Sequence, residues 1–215
     1  MILSRDRCYI FVHIPKTGGT SLARALEDRA MAGDILIGDT PKARRRRGRL
    51  AALRRQARGR LWKHSTLADI DGIVTPQEIA ELFTFTLVRN PWDRMVSYYA
   101  WARAQRFDHP AVRLAKSVDF AGFLAASEVQ AAWRATPARH YMTTADGAER
   151  CRLHIRLERF DEDASPLWEH LGFRLDLRRL NPSARGDYRG YYTDRDAETL
   201  AAIAAEDVAR FGYAF

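Results

Sequence analysis

The stretch from Arg7 to Met31 constrains the fold of this chain more than any other. Residues Arg7 to Ile14, RCYIFVHI, form a short apolar run rich in β-branched and aromatic side chains, and the run stops at Pro15. That pattern predicts a buried parallel strand. Leu22, Ala25 and Leu26 then recur at helical spacing, predicting a helix over Thr20 to Met31 with Gly33 as its stop. Strand, glycine turn and helix together open a phosphate-binding α/β unit. The turn itself, HIPKTGGTS from His13 to Ser21, suits an anion. A helix N-terminus supplies unpaired N–H groups and a partial positive charge. Gly18 and Gly19 let the backbone curl close to a ligand. Thr17, Thr20 and Ser21 add hydroxyl donors, and Lys16 adds a full charge. The usual nucleoside-triphosphate loop ends in Gly-Lys-Ser/Thr, whereas here Lys16 comes first. The plain alternative is a strand-to-helix turn with a capping threonine.

A second anion site is legible further along. FTFTLV, Phe83 to Val88, reads as a strand that ends at RNPWDR. Asn90 suits a helix cap and Pro91 the first helical position, and the helix continues through MVSYYAWARAQ. Arg89 lies at the C-terminal end of a strand, where α/β sheets place ligands. Its fork can grip a phosphate, with Ser97 donating one hydroxyl bond. Alternatively, Arg89 caps the helix or pairs with Asp93. Two anion sites at the ends of two neighbouring strands suggest one ligand with two separated anionic groups. Elsewhere, Thr75 and Pro76 open a brief helix ending near Leu82. Arg152 to Phe160 is a third strand candidate, and Pro166 to Leu171 is a short helix closed by Gly172. Thr193 caps a final helix, Asp194 to Arg210. With no repeat and no long linker, the chain reads as one domain over residues 1–215.

Composition excludes several classes. Two cysteines, Cys8 and Cys151, leave no room for a disulfide framework or a four-cysteine zinc site. Cys8, inside an apolar run, reads as a core residue. No run of 18 apolar residues exists, and Met1 to Arg7 lacks the apolar region of a secretion signal, so a cytoplasmic location is expected. The net charge is +8, but Lys42 to Lys63 holds 11 of the 35 basic residues and no acidic one, leaving 24 basic against 27 acidic residues elsewhere. The basic character therefore belongs to one insertion at about residues 40–63. It is either a solvated helix or loop, or a surface for an acidic polymer, a nucleic acid or a membrane.

The pair PKTGGTS and RNPWDRMVSYY resembles the two donor signatures of sulfotransferases that use 3′-phosphoadenosine 5′-phosphosulfate (PAPS), in particular the carbohydrate sulfotransferases and their small bacterial relatives. HSTLADI, RLERFDED, LNPSARGDYRGYYT and EDVARFGYAF follow in the same order, while Lys42 to Lys63 falls outside the resemblance. The resemblance implies a P-loop-like three-layer α/β fold with a central parallel sheet flanked by helices. It also implies that Lys16, Thr17, Gly18, Gly19, Thr20 and Ser21 hold the 5′-phosphosulfate. Arg89 and Ser97 would hold the 3′-phosphate, Arg185 would lie near that phosphate and Tyr188 near the adenine. Lys16 would then sit by the oxygen bridging phosphorus and sulfur, which gains charge as the sulfuryl group leaves.

Transfer to a hydroxyl needs a base, and no metal is expected. Of six histidines, His64 occupies the place where similar family members carry a histidine base. His13 reads as structural beside the loop, His154 as packed in a strand, and His109 and His170 carry no motif. His140 is a further acceptor-facing option, and Glu158 is the carboxylate alternative. The expected acceptor is a hydroxyl on a sugar, polysaccharide or glycolipid, with an anionic one among the options. A kinase reading lacks the glycine-lysine ending and a magnesium-binding carboxylate after a strand. A nucleic-acid-binding module, driven by the basic segment, is the non-enzymatic alternative, and peripheral membrane association through that segment is a further option.

Overall fold

A computed structural model describes residues 1–176 and 186–215. It is a mixed α/β protein whose central sheet is mostly parallel and flanked by helices. The chain divides into two compact units, Met1–Val88 with Ala138–Leu180, and Arg89–Pro137 with Asn181–Phe215.

The first unit holds the sheet. Its strands are β1 (Ile2–Ser4), β2 (Tyr9–Val12), β3 (Ile35–Leu36), β4 (Phe83–Val88) and β5 (Leu153–Arg156), in the order β3-β1-β2-β4-β5. β2, β4 and β5 are parallel neighbours, while β1 runs antiparallel to both β2 and β3. The expected parallel sheet is thus present at its centre, with one reversed strand beside it. The reversal explains Cys8, which is not a core residue but is exposed. It sits at φ 52° in the tight turn between β1 and β2, where its N–H bonds the Arg5 carbonyl at 3.2 Å. The apolar run enters the sheet only at Tyr9.

β2 and β4 are buried along nearly their whole length, as parallel central strands must be. Phe11 and Phe85 meet at 5.3 Å across the pair, in a core shared with Leu22, Leu26, Leu87, Ile155 and Leu167. The buried hydroxyl of Thr86 is satisfied by donating to the Val12 carbonyl at 2.8 Å. Helix α1 (Gly19–Asp28) follows β2, starting one residue before the expected Thr20 and ending before Met31. The basic insertion contributes α2 (Pro41–Arg45), capped by Thr40, and α3 (Arg47–Leu53). Thr75 caps α4 (Pro76–Glu81) by accepting from the Glu78 N–H. The third strand is shorter than expected, because the Arg156 backbone N–H and guanidinium both bond the Asp163 carboxylate, at 3.0 and 2.7 Å. That clasp turns the chain into a 3-10 turn at Leu157–Arg159 and a helix at Phe160–Asp163. Gly172, at φ 76°, closes the helix Ser165–Leu171.

The second unit is helical. Asn90 caps α5 (Pro91–Ala104) by accepting from the Trp92 and Asp93 N–H groups at 3.0 and 3.3 Å. The core of this unit gathers Trp92, Met95, Val96, Tyr99, Phe120, Phe123 and Leu200. Two polar tips inside it are satisfied: the Trp92 indole N–H donates to the Ala197 carbonyl, and the Tyr192 hydroxyl to the Trp92 carbonyl. Thr193 and Asp196 form a reciprocal capping box. The expected final helix breaks at Ala204 into Asp194–Ile203 and Ala205–Phe211. Among the described residues, no helix is long and apolar enough to cross a membrane.

Candidate active site

The turn after β2 is built around two unusual backbone positions. Lys16 holds φ 67°, a left-handed conformation that side chains with a Cβ rarely adopt. Gly18, at φ 81°, occupies the cap position of α1. No side chain caps this helix and no acidic residue lies in its first turn, whereas α2, α4 and α5 each carry a side-chain cap. The first turn of α1 is therefore left electropositive. Thr17 does not use its hydroxyl outward. It is buried and donates to the Ile14 carbonyl at 2.9 Å, so its hydroxyl hydrogen serves the turn itself. Thr20, Ser21 and Lys16 are half-buried, and Gly18 is exposed.

Gly19 lies against His13. A Cβ at Gly19 would come within 2.6 Å of the His13 Nε2, well inside van der Waals contact. The His13 ring is buried and stacked 6.0 Å from Phe11, so it has nowhere to go. Gly19→Ala is expected to destabilise the protein by about 1–3 kcal/mol through overpacking. Adding His13→Ala to that variant is expected to recover part of the loss. Thermal unfolding of the two single variants and the double variant measures this coupling, and strict additivity would show that the ring and Gly19 do not compete for space.

His64 joins the same cluster. Its Nδ1 lies 2.7 Å from the His13 carbonyl oxygen, and its ring meets the His13 ring edge-on at 4.7 Å. A carbonyl only accepts, so Nδ1 carries the proton and Nε2 carries the lone pair. Burial, reinforced by the neighbouring Lys63 charge, pulls the His64 pKa down to about 4, against the raising effect of the His13 hydrogen bond. Burial, with His64 and Lys16 nearby, also holds His13 well below the usual imidazole range. Both rings are thus neutral at physiological pH.

The linkage has a definite sign. A histidine whose folded pKa is lowered binds fewer protons folded than unfolded, so its contribution to stability is complete above about pH 6.5 and is lost as pH falls. For His64 alone the expected loss by pH 4 is on the order of 3 kcal/mol. His64→Asn keeps an N–H for the His13 carbonyl but cannot titrate. Its unfolding temperature is expected to fall less steeply between pH 7 and pH 4.5 than that of the parent protein. Parallel slopes would mean that His64 is not desolvated in solution.

The structure therefore brings Lys16–Ser21 and His64 into one cluster, with His13 as the joint. The sequence gives no pattern for that joint beyond its place just before the loop. The other histidines have structural contacts. His109 caps the helix Pro110–Ser117, His170 bonds the Arg7 carbonyl and stacks on Phe83, His154 stands in β5, and His140 meets Tyr141 edge-on. Glu158 is exposed in its 3-10 turn.

The remaining candidates lie in the second unit. Arg89 is half-buried and holds Asp93 with its Nε and a terminal nitrogen, at 2.8 and 2.6 Å. This is the ion pair that its sequence context allowed. Ser97 is buried on α5. Tyr188 opens a 3-10 turn, where its hydroxyl accepts from the Asn90 amide at 3.4 Å and the Arg189 guanidinium lies 4.8 Å over its ring. Arg185 lies outside the described residues. Among the described residues, no group of three or more His, Cys, Asp or Glu side chains is arranged to hold a metal ion.

No curated protein matches the chain closely enough to count as a relative. A family model described as the sulfotransferase family matches residues 1–202, which take in the loop, the cluster around His64 and the RNPWDR segment. The chain belongs to the sulfotransferase family, and with it to the transferases that move sulfuryl groups.

Proposed function

We propose that this protein transfers a sulfuryl group from PAPS to a carbohydrate hydroxyl, without a metal, as a single P-loop-like, three-layer domain over residues 1–215. One observation carries the reading. A lysine held in a strained conformation at an electropositive helix start shares a cluster with a neutral imidazole whose Nε2 is a proton acceptor. These are the two groups the reaction needs.

His64 takes the proton from the acceptor hydroxyl as that oxygen bonds to sulfur. The bond from sulfur to the bridging oxygen breaks, and Lys16 neutralises the charge left on that oxygen. Backbone N–H groups from Thr17 to Thr20, with the Ser21 hydroxyl, hold the 5′-phosphate. Thr17 takes part through its backbone, since its hydroxyl serves Ile14. Arg89 and Ser97 hold the 3′-phosphate, Arg89 sharing its fork between Asp93 and the ligand, with Tyr188 near the adenine.

The test is thermal unfolding with adenosine 3′,5′-bisphosphate, with magnesium-ATP as control. A ligand that binds only the folded protein stabilises it by about 2.7 kcal/mol at a hundredfold excess over its dissociation constant. Stabilisation by the bisphosphate alone is expected. Stabilisation by ATP alone would move the protein to nucleotide kinases. Arg89→Ala is expected to weaken bisphosphate binding about tenfold to a hundredfold, the cost of a lost charged hydrogen bond. Equal affinity would remove Arg89 from the 3′-phosphate.

A further inference from the structure

The cations of the basic insertion are not equivalent. Five of its cations serve the fold. Lys42, Arg46 and Arg49 donate to the backbone carbonyls of Glu27, Met31 and Ala32, while Arg58 pairs with Asp71 and Lys63 with Asp39. Arg54 and Arg60 do neither. Both are exposed, and among the described residues neither forms an ion pair. They line a groove of about 600 Å³ within the first unit, together with Leu50, Trp62, Lys63 and Asp39.

The groove has a defined chemistry. Lys63 and Asp39 neutralise each other at 2.8 Å, which leaves the two guanidinium groups as the uncompensated charge. Trp62 is 41% exposed, an uncommon exposure for a tryptophan, and offers a flat apolar face. Arg60 lies over that indole at 5.2 Å, placing a planar cation at the aromatic platform. The same indole stands nearly perpendicular to the His64 ring, with the ring centroids 5.0 Å apart. Whatever rests on Trp62 is therefore next to the group that would take the acceptor's proton.

We infer that this groove is an acceptor subsite for an anionic saccharide, a sugar unit that carries a carboxylate or sulfate group. The indole receives the apolar C–H face of the ring. Arg54 and Arg60 take the anionic group through two-pronged hydrogen bonds, which a guanidinium makes better than an ammonium. A single exposed aromatic in a concave site favours a sugar over single-stranded nucleic acid, which is gripped by a succession of stacking platforms. Assigning the occupant as the acceptor rests on the sulfotransferase reading above.

The test measures binding of polygalacturonate and dextran sulfate, with neutral dextran and polythymidylate as comparisons. The variants are Arg54→Gln with Arg60→Gln, Trp62→Ala, and, as a charge-matched control, Arg45→Gln with Arg47→Gln. Those control positions are exposed and outside the groove. Tight binding of at least one polyanion and none of dextran is expected. The groove pair and Trp62→Ala should each weaken it about tenfold and the control pair less than twofold, with stabilisation by adenosine 3′,5′-bisphosphate unchanged throughout. Equal losses in the groove and control pairs would reduce the groove to general charge attraction and overturn the inference. So would no binding of either polyanion, or tighter groove-dependent binding of polythymidylate. If the unaltered protein ignores the bisphosphate, the donor assignment fails separately, and the groove is still judged by the polyanion data.

Discussion

Replacing Lys16 with glycine is expected to give a protein that is more stable and nearly inactive. Lys16 sits at φ 67°, and a left-handed conformation costs a residue with a Cβ about 1–2 kcal/mol. Glycine removes that cost but brings back chain entropy in the unfolded state, so a net gain of about 0.5–1 kcal/mol is expected. The same change deletes the cation proposed to meet the departing oxygen, and loss of such a group typically slows turnover about 10²–10³-fold. Stability and rate thus move in opposite directions, as expected where a functional site holds strain that the surrounding structure enforces. Thermal unfolding and sulfuryl transfer, measured on the same preparation, decide the matter. A drop in stability would make Lys16 a structural residue of the turn. Unchanged turnover would mean that its charge is idle.

Replacing His64 with alanine is the second large effect. Turnover is expected to fall about 10²–10⁴-fold while affinity for adenosine 3′,5′-bisphosphate stays within about twofold, because a general base acts on the acceptor and not on the donor. The pH profile sharpens the test. With a free-protein pKa of about 4, kcat/KM is expected to lose activity only on the acid side, near that value, and to be flat through neutrality. Bound donor brings negative charge close to the ring and raises its pKa, so the acid limb of kcat should lie at higher pH than that of kcat/KM. An acid limb of kcat/KM near pH 6.5 would mean that the ring is solvated in the working protein. A profile identical in His64→Ala would assign the titration to another group.

These expectations rest on residues that differ in how legible they were. The phosphate-type loop was readable because glycine, lysine and hydroxyl residues cluster directly after an apolar run, and local sequence sets the turn. The caps at Thr75, Asn90 and Thr193 were readable for the same reason, since a cap is satisfied within three residues. β4, bounded by Phe83 and Val88 as expected, was legible from its continuous apolar pattern. Arg89 shows the limit. Its sequence context permitted both an anion site and a pair with Asp93, and the structure shows the pair without removing the other role.

The sequence by itself determined the order of strand, loop and helix, the position of the caps, and the confinement of excess charge to Lys42–Lys63. All of these are set by side chains within a few residues of one another. Tertiary structure alone decided four other things. It reversed β1 against β2 and pushed Cys8 out into the turn, because the register of a sheet is settled by which neighbour a strand finds. It ended β5 early, because Asp163 returns to clasp Arg156. It tied five cations of the insertion to the fold and set Arg54 and Arg60 along a groove. And it brought His64 to His13, 51 residues apart in the chain, through one backbone carbonyl. Such contacts depend on chain closure over long separations, and nothing in the local pattern of either segment encodes the partner.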